Sequence, residues 1–322
     1  MKRSVPLFIP EAVVTNLIDF PRTLTILTAA LESQGSGTAT NRSRIRIPIK
    51  AGTYNLMAAA DISKNVVGLK VYTVSKSGAP MLIVLHAADG SGLLAVIEGG
   101  KISGCRTGAI SGISAKHMAR SGKHTLGVIG SGFQARAQIL GILAAVSAIE
   151  RVLVFSRNTE KVSSFVNSIS GEVKVPVSVV TSSEQICAES TIIALITNSS
   201  EPVIRTDQIK PGTHVIAAGN NTWLKGEFEP SLATKARTVV VDDVDQARIE
   251  AGELMRASEL GLFNWDRAVP LADVITGFRT ARHSDEDITL FCSQGIALLD
   301  VAVAADVYRQ ATEKSLGVKI GS

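Results

Sequence analysis

Apolar residues recur along this chain in two rhythms, and the change comes near residue 120. Before it the signals are mixed. Apolar positions fall at helical spacing over Pro10–Leu31, and basic and apolar residues alternate over Arg44–Ile49, the period of a half-buried strand. Val66–Val74 and Met81–His86 read as further strands, and Ser103–Arg120, dense in Ala, Gly and Ser, as a tightly packed helix. After residue 120, short apolar runs at Thr125–Ile129, Arg151–Phe155, Val173–Val180, Thr191–Ile196, His214–Ala218 and Thr238–Asp242 predict strands. Helical stretches such as Gln134–Val146 and Thr159–Ile169 separate them. Continuous apolar strands alternating with helices predict a parallel sheet covered on both faces. The expected fold is α/β: a Rossmann-type, doubly wound parallel sheet over residues 120–304 and a smaller α+β domain over 1–119. A long Ala-rich helix is predicted over Ser293–Thr312, with residues 305–322 returning to the first domain.

Composition narrows the class. The 322 residues are 45% hydrophobic and 19% charged, enough for two cored domains, and 27 glycines suit tight strand–helix turns. The net charge of +4 comes without a long basic run; its densest cluster is Arg42, Arg44, Arg46 and Lys50. Few aromatics are available for stacking on bases, so nucleic acid is not an expected partner and anionic small molecules are. Apolar stretches are of strand length, which argues against a membrane span. Met1–Val14 carries one basic pair and breaks at Pro6 and Pro10, unlike a signal peptide, so a cytoplasmic protein is expected. Cys105, Cys187 and Cys292 are scattered, which predicts buried reduced thiols and no metal site.

One segment carries a cofactor signal. In Thr125-Leu-Gly-Val-Ile-Gly-Ser-Gly-Phe-Gln-Ala a predicted strand runs straight into a predicted helix. Gly130 permits the sharp turn, Gly132 lets backbone approach a pyrophosphate, and Ala135 allows close helix–strand packing. The context, strand before and helix and second strand after, is that of a dinucleotide site with Gly130, Gly132, Phe133 and Gln134 at its turn. The second strand ends at Ser156-Arg157-Asn158 with no carboxylate for a free ribose 2′-hydroxyl. Ser156 and Arg157 suit a 2′-phosphate, so NADP(H) is expected to be preferred, with NAD(H) accepted.

Two further charges stand out. Lys70 interrupts the apolar run Val67-Gly-Leu-Lys-Val-Tyr, where a buried ammonium needs a partner or a task, and Arg106 opens the Ala/Gly-rich helix. With Arg44-Ile-Arg-Ile-Pro, Gly68-Leu-Lys-Val, Ile102-Ser-Gly-Cys-Arg-Thr-Gly-Ala, Gly212-Thr-His-Val, Val240-Val-Asp-Asp and Ile288-Thr-Leu-Phe-Cys-Ser-Gln-Gly-Ile-Ala-Leu-Leu-Asp in order over about residues 40–310, the chain resembles the ornithine cyclodeaminase/μ-crystallin family. The resemblance implies that Arg44 and Arg106 grip a substrate carboxylate, with Arg46 the alternative to Arg44, and that Lys70 lies beside the reacting nitrogen as acid/base or fixed charge. It implies further that Arg106, Thr107, Gln134, Thr197, Lys225 and Ser293 approach the cofactor. It also implies a homodimer formed through the first domains.

Two departures redirect the expected chemistry. Where ornithine cyclodeaminases carry an Asp four residues before the Lys matching Lys225, this chain has Asn221, and an amide cannot act as a carboxylate base. The stretch Ser75–His86 is shorter than the family pattern and lacks a clear match for a cofactor-contacting Thr. The resulting expectation is an NAD(P)H-dependent reductase of small cyclic imino acids, such as 1-pyrroline-2-carboxylate or 1-piperideine-2-carboxylate, with Asn221 among the substrate contacts. Ornithine cyclodeaminase, an alanine-type amino-acid dehydrogenase and a μ-crystallin-type NADPH-dependent ligand-binding protein are the alternatives.

Overall fold

The computed structural model describes residues 5–75 and 78–321, so positions 76 and 77 of the Ser75–His86 stretch and 1–4 of the N-terminal stretch lie outside the described residues. The chain forms two compact units, Met1–Arg106 with Ile296–Ser322, and Thr107–Gly295. These limits differ from the expected 119 and 304. The change of rhythm near 120 marks the end of a helix over 100–118, and the whole of the last long helix, not only its end, packs on the first unit's sheet.

In the first unit, β1 (Leu7–Ile9) precedes α1 (Glu11–Leu17) and α2 (Phe20–Gly35). The single helical rhythm of Pro10–Leu31 is therefore broken in two. Asp19 caps α2 by accepting the Arg22 N–H at 2.8 Å, and Pro21 occupies the first turn, where its missing N–H does no harm. β2 (Ala39–Ile49), β3 (Gly52–Asp61), β4 (Val66–Ser75), β5 (Met81–Ala87) and β6 (Leu93–Glu98) then form an antiparallel meander, closed by β1 parallel to β6. The terminal strand Val318–Lys319 pairs with β1 at the outer edge. Register sets Lys70 opposite Met57 on one side and Ile83 on the other.

The alternation on β2 runs opposite to the usual sense. Arg44 is buried, whereas Ile45, Ile47 and Ile49 are 61%, 47% and 40% exposed. A register shift between Arg42 and Ile45 sets this phase. The inner face of the sheet carries Met57, Ala59, Gly68, Lys70, Ile83 and Leu85 under the terminal helix. The outer face carries Ile45, Leu56, Val67, Val71 and Leu82, all partly or fully exposed in this chain.

The second unit follows the long helix α3 (Gly100–Met118). Its elements are β7 (His124–Ile129), α4 (Phe133–Ala145), β8 (Ile149–Phe155), α5 (Thr159–Ser170), β9 (Val177–Val179), α6 (Ser183–Glu189), β10 (Ile192–Leu195), β11 (His214–Ala217), α7 (Leu232–Lys235), β12 (Thr238–Val241), α8 (Val244–Glu250), α9 (Gly252–Glu259), β13 (Ala268–Pro270), α10 (Leu271–Ile275) and β14 (Thr289–Cys292). The eight strands lie all parallel in the order β13-β12-β14-β11-β10-β7-β8-β9, and chain order reverses between β7 and β10. In such sheets ligands bind outside the carboxyl ends of the strands at that reversal. The chain ends with α11 (Ala297–Glu313) and β15 (Val318–Lys319).

Burial drops the His214 pKa to about 3, so its neutral ring bridges Ser114 and Thr289 within the core. All three cysteines are buried and unbridged. Among the described residues no helix is long and apolar enough to cross a membrane, and no group of His, Cys, Asp and Glu is placed to hold a metal ion.

Candidate active site

Four charged side chains meet under the first unit's sheet. Lys70 projects from the inner face of β4 and is 2% exposed; Asp300, in the first turn of α11, is fully buried. Lys70 Nζ donates to Asp300 Oδ1 at 2.8 Å and to Ser103 Oγ at 3.0 Å. Arg106, on α3, brings its Nε to 3.3 Å from the other oxygen of Asp300. Arg44, from β2, donates its Nε–H to Met57 Sδ at 3.3 Å. The Tyr72 ring lies 5.3 Å from Lys70 Nζ. Buried charges persist only when they are paired and hydrogen-bonded, and Asp300 pairs both Lys70 and Arg106.

The electrostatics follow from that arrangement. Burial lowers Lys70 to a pKa of about 8; Asp300 pulls it upward, while Arg106 and Arg44 push it down. Burial alone would raise Asp300, but the charges of Arg106 and Lys70 outweigh it and hold the carboxyl below its ordinary value. The result is a carboxylate favoured in its ionised form, holding an ammonium that gives up its proton at about pH 8. That is the pKa range in which a side chain works best as an acid/base.

The structure thus brings Arg44, Lys70 and Arg106 of the sequence reading into one cluster and adds Asp300, Ser103, Met57 and Tyr72. Arg44 is buried in it, and Arg46 is only half-buried, close enough for its charge to act on Tyr72. Asp300 had a signal: a carboxylate among Ala297-Leu-Leu-Asp-Val is as anomalous in an apolar helix as Lys70 is in an apolar strand.

The second unit holds a cleft of about 850 Å³ at the carboxyl ends of β7, β8, β10 and β11. Gly130, Gly132, Phe133, Gln134, Ser156, Arg157, Asn158 and Thr197 all line it. Gly130 has φ +124°, and a Cβ there would sit 2.4 Å from the Ile196 carbonyl oxygen, so no other residue fits the turn. Gly132 caps α4 without any side-chain bond to the helix N–H groups, and a Cβ built on it would meet nothing within 4 Å. The start of α4 therefore opens into the cleft with free donors and a positive dipole end. Gln134 contributes a buried Oε1 without a hydrogen-bond partner. An open glycine corner, an uncapped helix start and an unsatisfied acceptor are the features a dinucleotide pyrophosphate and its ribose hydroxyls would meet.

At the adenosine end of such a ligand the cleft offers Ser156, Arg157 and, unforeseen from the sequence, Lys161. Asn158 is occupied structurally: its Oδ1 caps α5 by accepting the Lys161 N–H at 2.8 Å. Phe133 is 79% exposed at the rim. Thr107, Lys225 and Ser293, expected near a cofactor, stand outside the cleft lining. The Thr107 carbonyl accepts from Gln138 at 3.3 Å, and Ser293 Oγ donates to Asp242 at 2.9 Å. Asn221 is exposed on the loop that follows Gly219. Beneath the cleft lies a group that sequence reasoning missed, Glu227, whose carboxylate accepts from Thr197 and Gly219.

Known proteins resemble the chain in sequence and in fold. The sequence model of the ornithine cyclodeaminase/mu-crystallin family matches residues 7–315. The chain belongs to that family. Among its members, a Delta(1)-pyrroline-2-carboxylate reductase from Bacillus cereus is 35% identical over 261 residues, covering 79% of this chain and 80% of the relative. The iminosuccinate reductase of Paracoccus denitrificans, solved with NAD+, superposes with a TM-score of 0.93 at 26% identity, covering 99% of this chain and all of the other. An archaeal alanine dehydrogenase dimer with bound NAD gives 0.92 at 28% identity, covering 98% and 99%. The expected α/β architecture with a Rossmann-type parallel sheet is the one found.

Proposed function

We propose that the chain is an NAD(P)H-dependent reductase of the C=N bond of small imino acids, with a cyclic ketimine such as 1-pyrroline-2-carboxylate as substrate. The observation that carries this reading is the buried Lys70–Asp300–Arg106 cluster, an ammonium poised near neutral pH beside guanidinium groups. Arg44 and Arg106 grip the substrate carboxylate, which suits bidentate guanidinium pairing. Lys70 donates its Nζ–H toward the imine nitrogen and keeps it protonated, which makes the neighbouring carbon more electrophilic. Asp300 holds Lys70 in place and charged. The nicotinamide, when bound, supplies the hydride to that carbon. One hydride and one proton turn C=N into CH–NH, so the balance needs no further reactant.

Gly130, Gly132 and Gln134 would hold the dinucleotide. Arg157 with Ser156 and Lys161 favours a 2′-phosphate, and the absence of a carboxylate at the end of β8 supports NADP(H) over NAD(H). The apolar outer face of the first unit's sheet supports a homodimer, the assembly named for the archaeal alanine dehydrogenase. Three buried thiols agree with the reducing cytoplasm.

A second reading, an alanine-type dehydrogenase, uses the same site in reverse on an open-chain amino acid and rests on the archaeal relative. Ornithine cyclodeamination is disfavoured by Asn221, because no carboxylate stands there to work on the substrate's second amine. The test is NADPH and NADH oxidation by purified protein offered preformed cyclic imino acids, then keto acids with ammonia, with ammonia release from L-ornithine assayed in parallel. Oxidation with cyclic imines alone supports the first reading, and turnover with pyruvate and ammonia supports the second. Cofactor binding with no turnover of any substrate makes the protein a ligand binder and sinks both.

A further inference from the structure

Glu227 is a fully buried carboxylate with no ion-pair partner among the described residues. Its Oε1 accepts the Thr197 N–H at 2.6 Å and the Thr197 hydroxyl at 2.8 Å, and its Oε2 accepts the Gly219 N–H at 2.7 Å. Thr197 and Gly219 line the dinucleotide cleft, in the loops that leave β10 and β11. The backbone of Glu227 is held as firmly: its N–H donates to Glu253 Oε1 at 2.6 Å, and its carbonyl accepts from Val203 at 2.8 Å. Gly219 packs so tightly here that a Cβ on it would lie 2.2 Å from the Thr197 carbonyl oxygen and 2.4 Å from the Glu227 carboxylate. One side chain therefore ties together the two loops that form the floor of the cleft.

We propose that Glu227 is a positioning residue for the cofactor, and that the proton on its carboxyl controls how tightly the cleft binds the dinucleotide. The proposal rests on the cofactor reading above. An ionised carboxylate accepts all three bonds. A protonated carboxyl is a weaker acceptor: a proton on Oε2 faces the Gly219 N–H, and one on Oε1 has to turn the Thr197 hydroxyl round to accept it, so the tie between the loops is weakened. Burial raises the Glu227 pKa to about 7; the three donors oppose that rise and the neighbouring Glu253 adds to it. The groups that face it are Glu253 from α9, with Arg256 of the same helix offsetting Glu253, and Cys292 of β14, whose thiol burial keeps neutral. The tie is strongest with Glu227 ionised, above about pH 7, and loosens as pH falls through that value.

The test is the dissociation constant of NADPH from pH 5.5 to 8.5, measured by fluorescence on wild type, Glu227→Gln and Glu253→Gln. Ratios to wild type remove the titration of the cofactor's own phosphate. The Glu227→Gln ratio is expected to be near one at pH 5.5 and to rise by about tenfold at pH 8.5, the loss of a hydrogen bond to a charged group. Glu253→Gln keeps an acceptor for the Glu227 N–H but removes a like charge. It is expected to bind NADPH more tightly than wild type at pH 6 and equally at pH 8.5, and this decides the matter if Glu227→Gln does not fold. A Glu227→Gln ratio that is the same at every pH, or a Glu253→Gln ratio of one throughout, overturns the proposal. A wild-type protein that binds no dinucleotide at any pH sinks the cofactor reading, and the proposal falls with it.

Discussion

Replacing Asp300 by Asn tests the cluster at its centre. The change keeps the shape of the side chain and removes the negative charge that supports Lys70, 2.8 Å from its ammonium. With a pKa of about 8, Lys70 is roughly nine-tenths charged at pH 7. An opposite charge this close is worth about one to three pKa units, so losing it takes Lys70 to about 7 or below. A shift of one unit leaves about half of the enzyme active at pH 7, and a shift of two units leaves about a tenth. Lysine is charged below its pKa. Imine reduction by wild type is therefore present at acid to neutral pH and lost as pH rises through about 8. In Asp300→Asn the same loss comes at lower pH, and activity recovers toward the wild-type level on acidification. The assay is kcat/KM for a preformed cyclic imino acid across pH 5.5–9.5, with a thermal melt to confirm folding. An unmoved break near pH 8, or a uniform loss at every pH, would refute the assignment of Asp300 as the group that keeps Lys70 charged.

Other substitutions probe the remaining parts. Lys70→Ala should abolish imine reduction and leave NADPH binding within about twofold, as expected of a group that acts on the substrate alone; unchanged turnover would remove Lys70 from the mechanism. Arg157→Ala should raise the KM for NADPH by about tenfold or more and leave that for NADH unchanged, since a charge-assisted hydrogen bond is worth about 1.5–3 kcal/mol; equal effects on both cofactors would show that the 2′-phosphate is not read there. Gly130→Ala should lower Tm by several degrees and weaken cofactor binding, because the new methyl meets the Ile196 carbonyl in a left-handed backbone conformation. Ile45→Asp with Leu82→Asp should convert a dimer to monomer in sedimentation velocity; an unchanged mass would place the assembly surface elsewhere.

What the chain reveals of itself depends on how local each requirement is. The Gly130–Ala135 turn is a backbone demand written in six consecutive residues, so it was legible directly. Lys70 was legible because a charge in an apolar strand calls for a reason. Its partner Asp300 lies far along the chain and stood in plain view without a role. β3 was missed because Ala58–Ala60 offer no contrast between the two faces of the strand. Val173–Val180 shrank to three strand residues, since Pro176 precedes the short edge strand β9. Glu227 left no mark in Lys225-Gly-Glu-Phe-Glu, because its task is defined by residues 197, 219 and 253, which only the folded chain gathers.

The reversed alternation on β2 constrains how this protein can diverge. Arg44 points inward and Ile45, Ile47 and Ile49 outward along the same few residues, so under the proposed function the strand would serve ligand recognition on one side and subunit contact on the other. Side chains on a strand change sides with every single-residue shift. Inserting or deleting one residue between Arg44 and Ile49 would turn the guanidinium groups out to solvent and drive isoleucines against Met57 and Lys70. If the proposed function and assembly hold, substrate preference and subunit pairing are locked to one reading frame of the strand. Lineages can exchange residues here one for one, and a change of length has to come in pairs or be absorbed at the irregularity between Arg42 and Ile45.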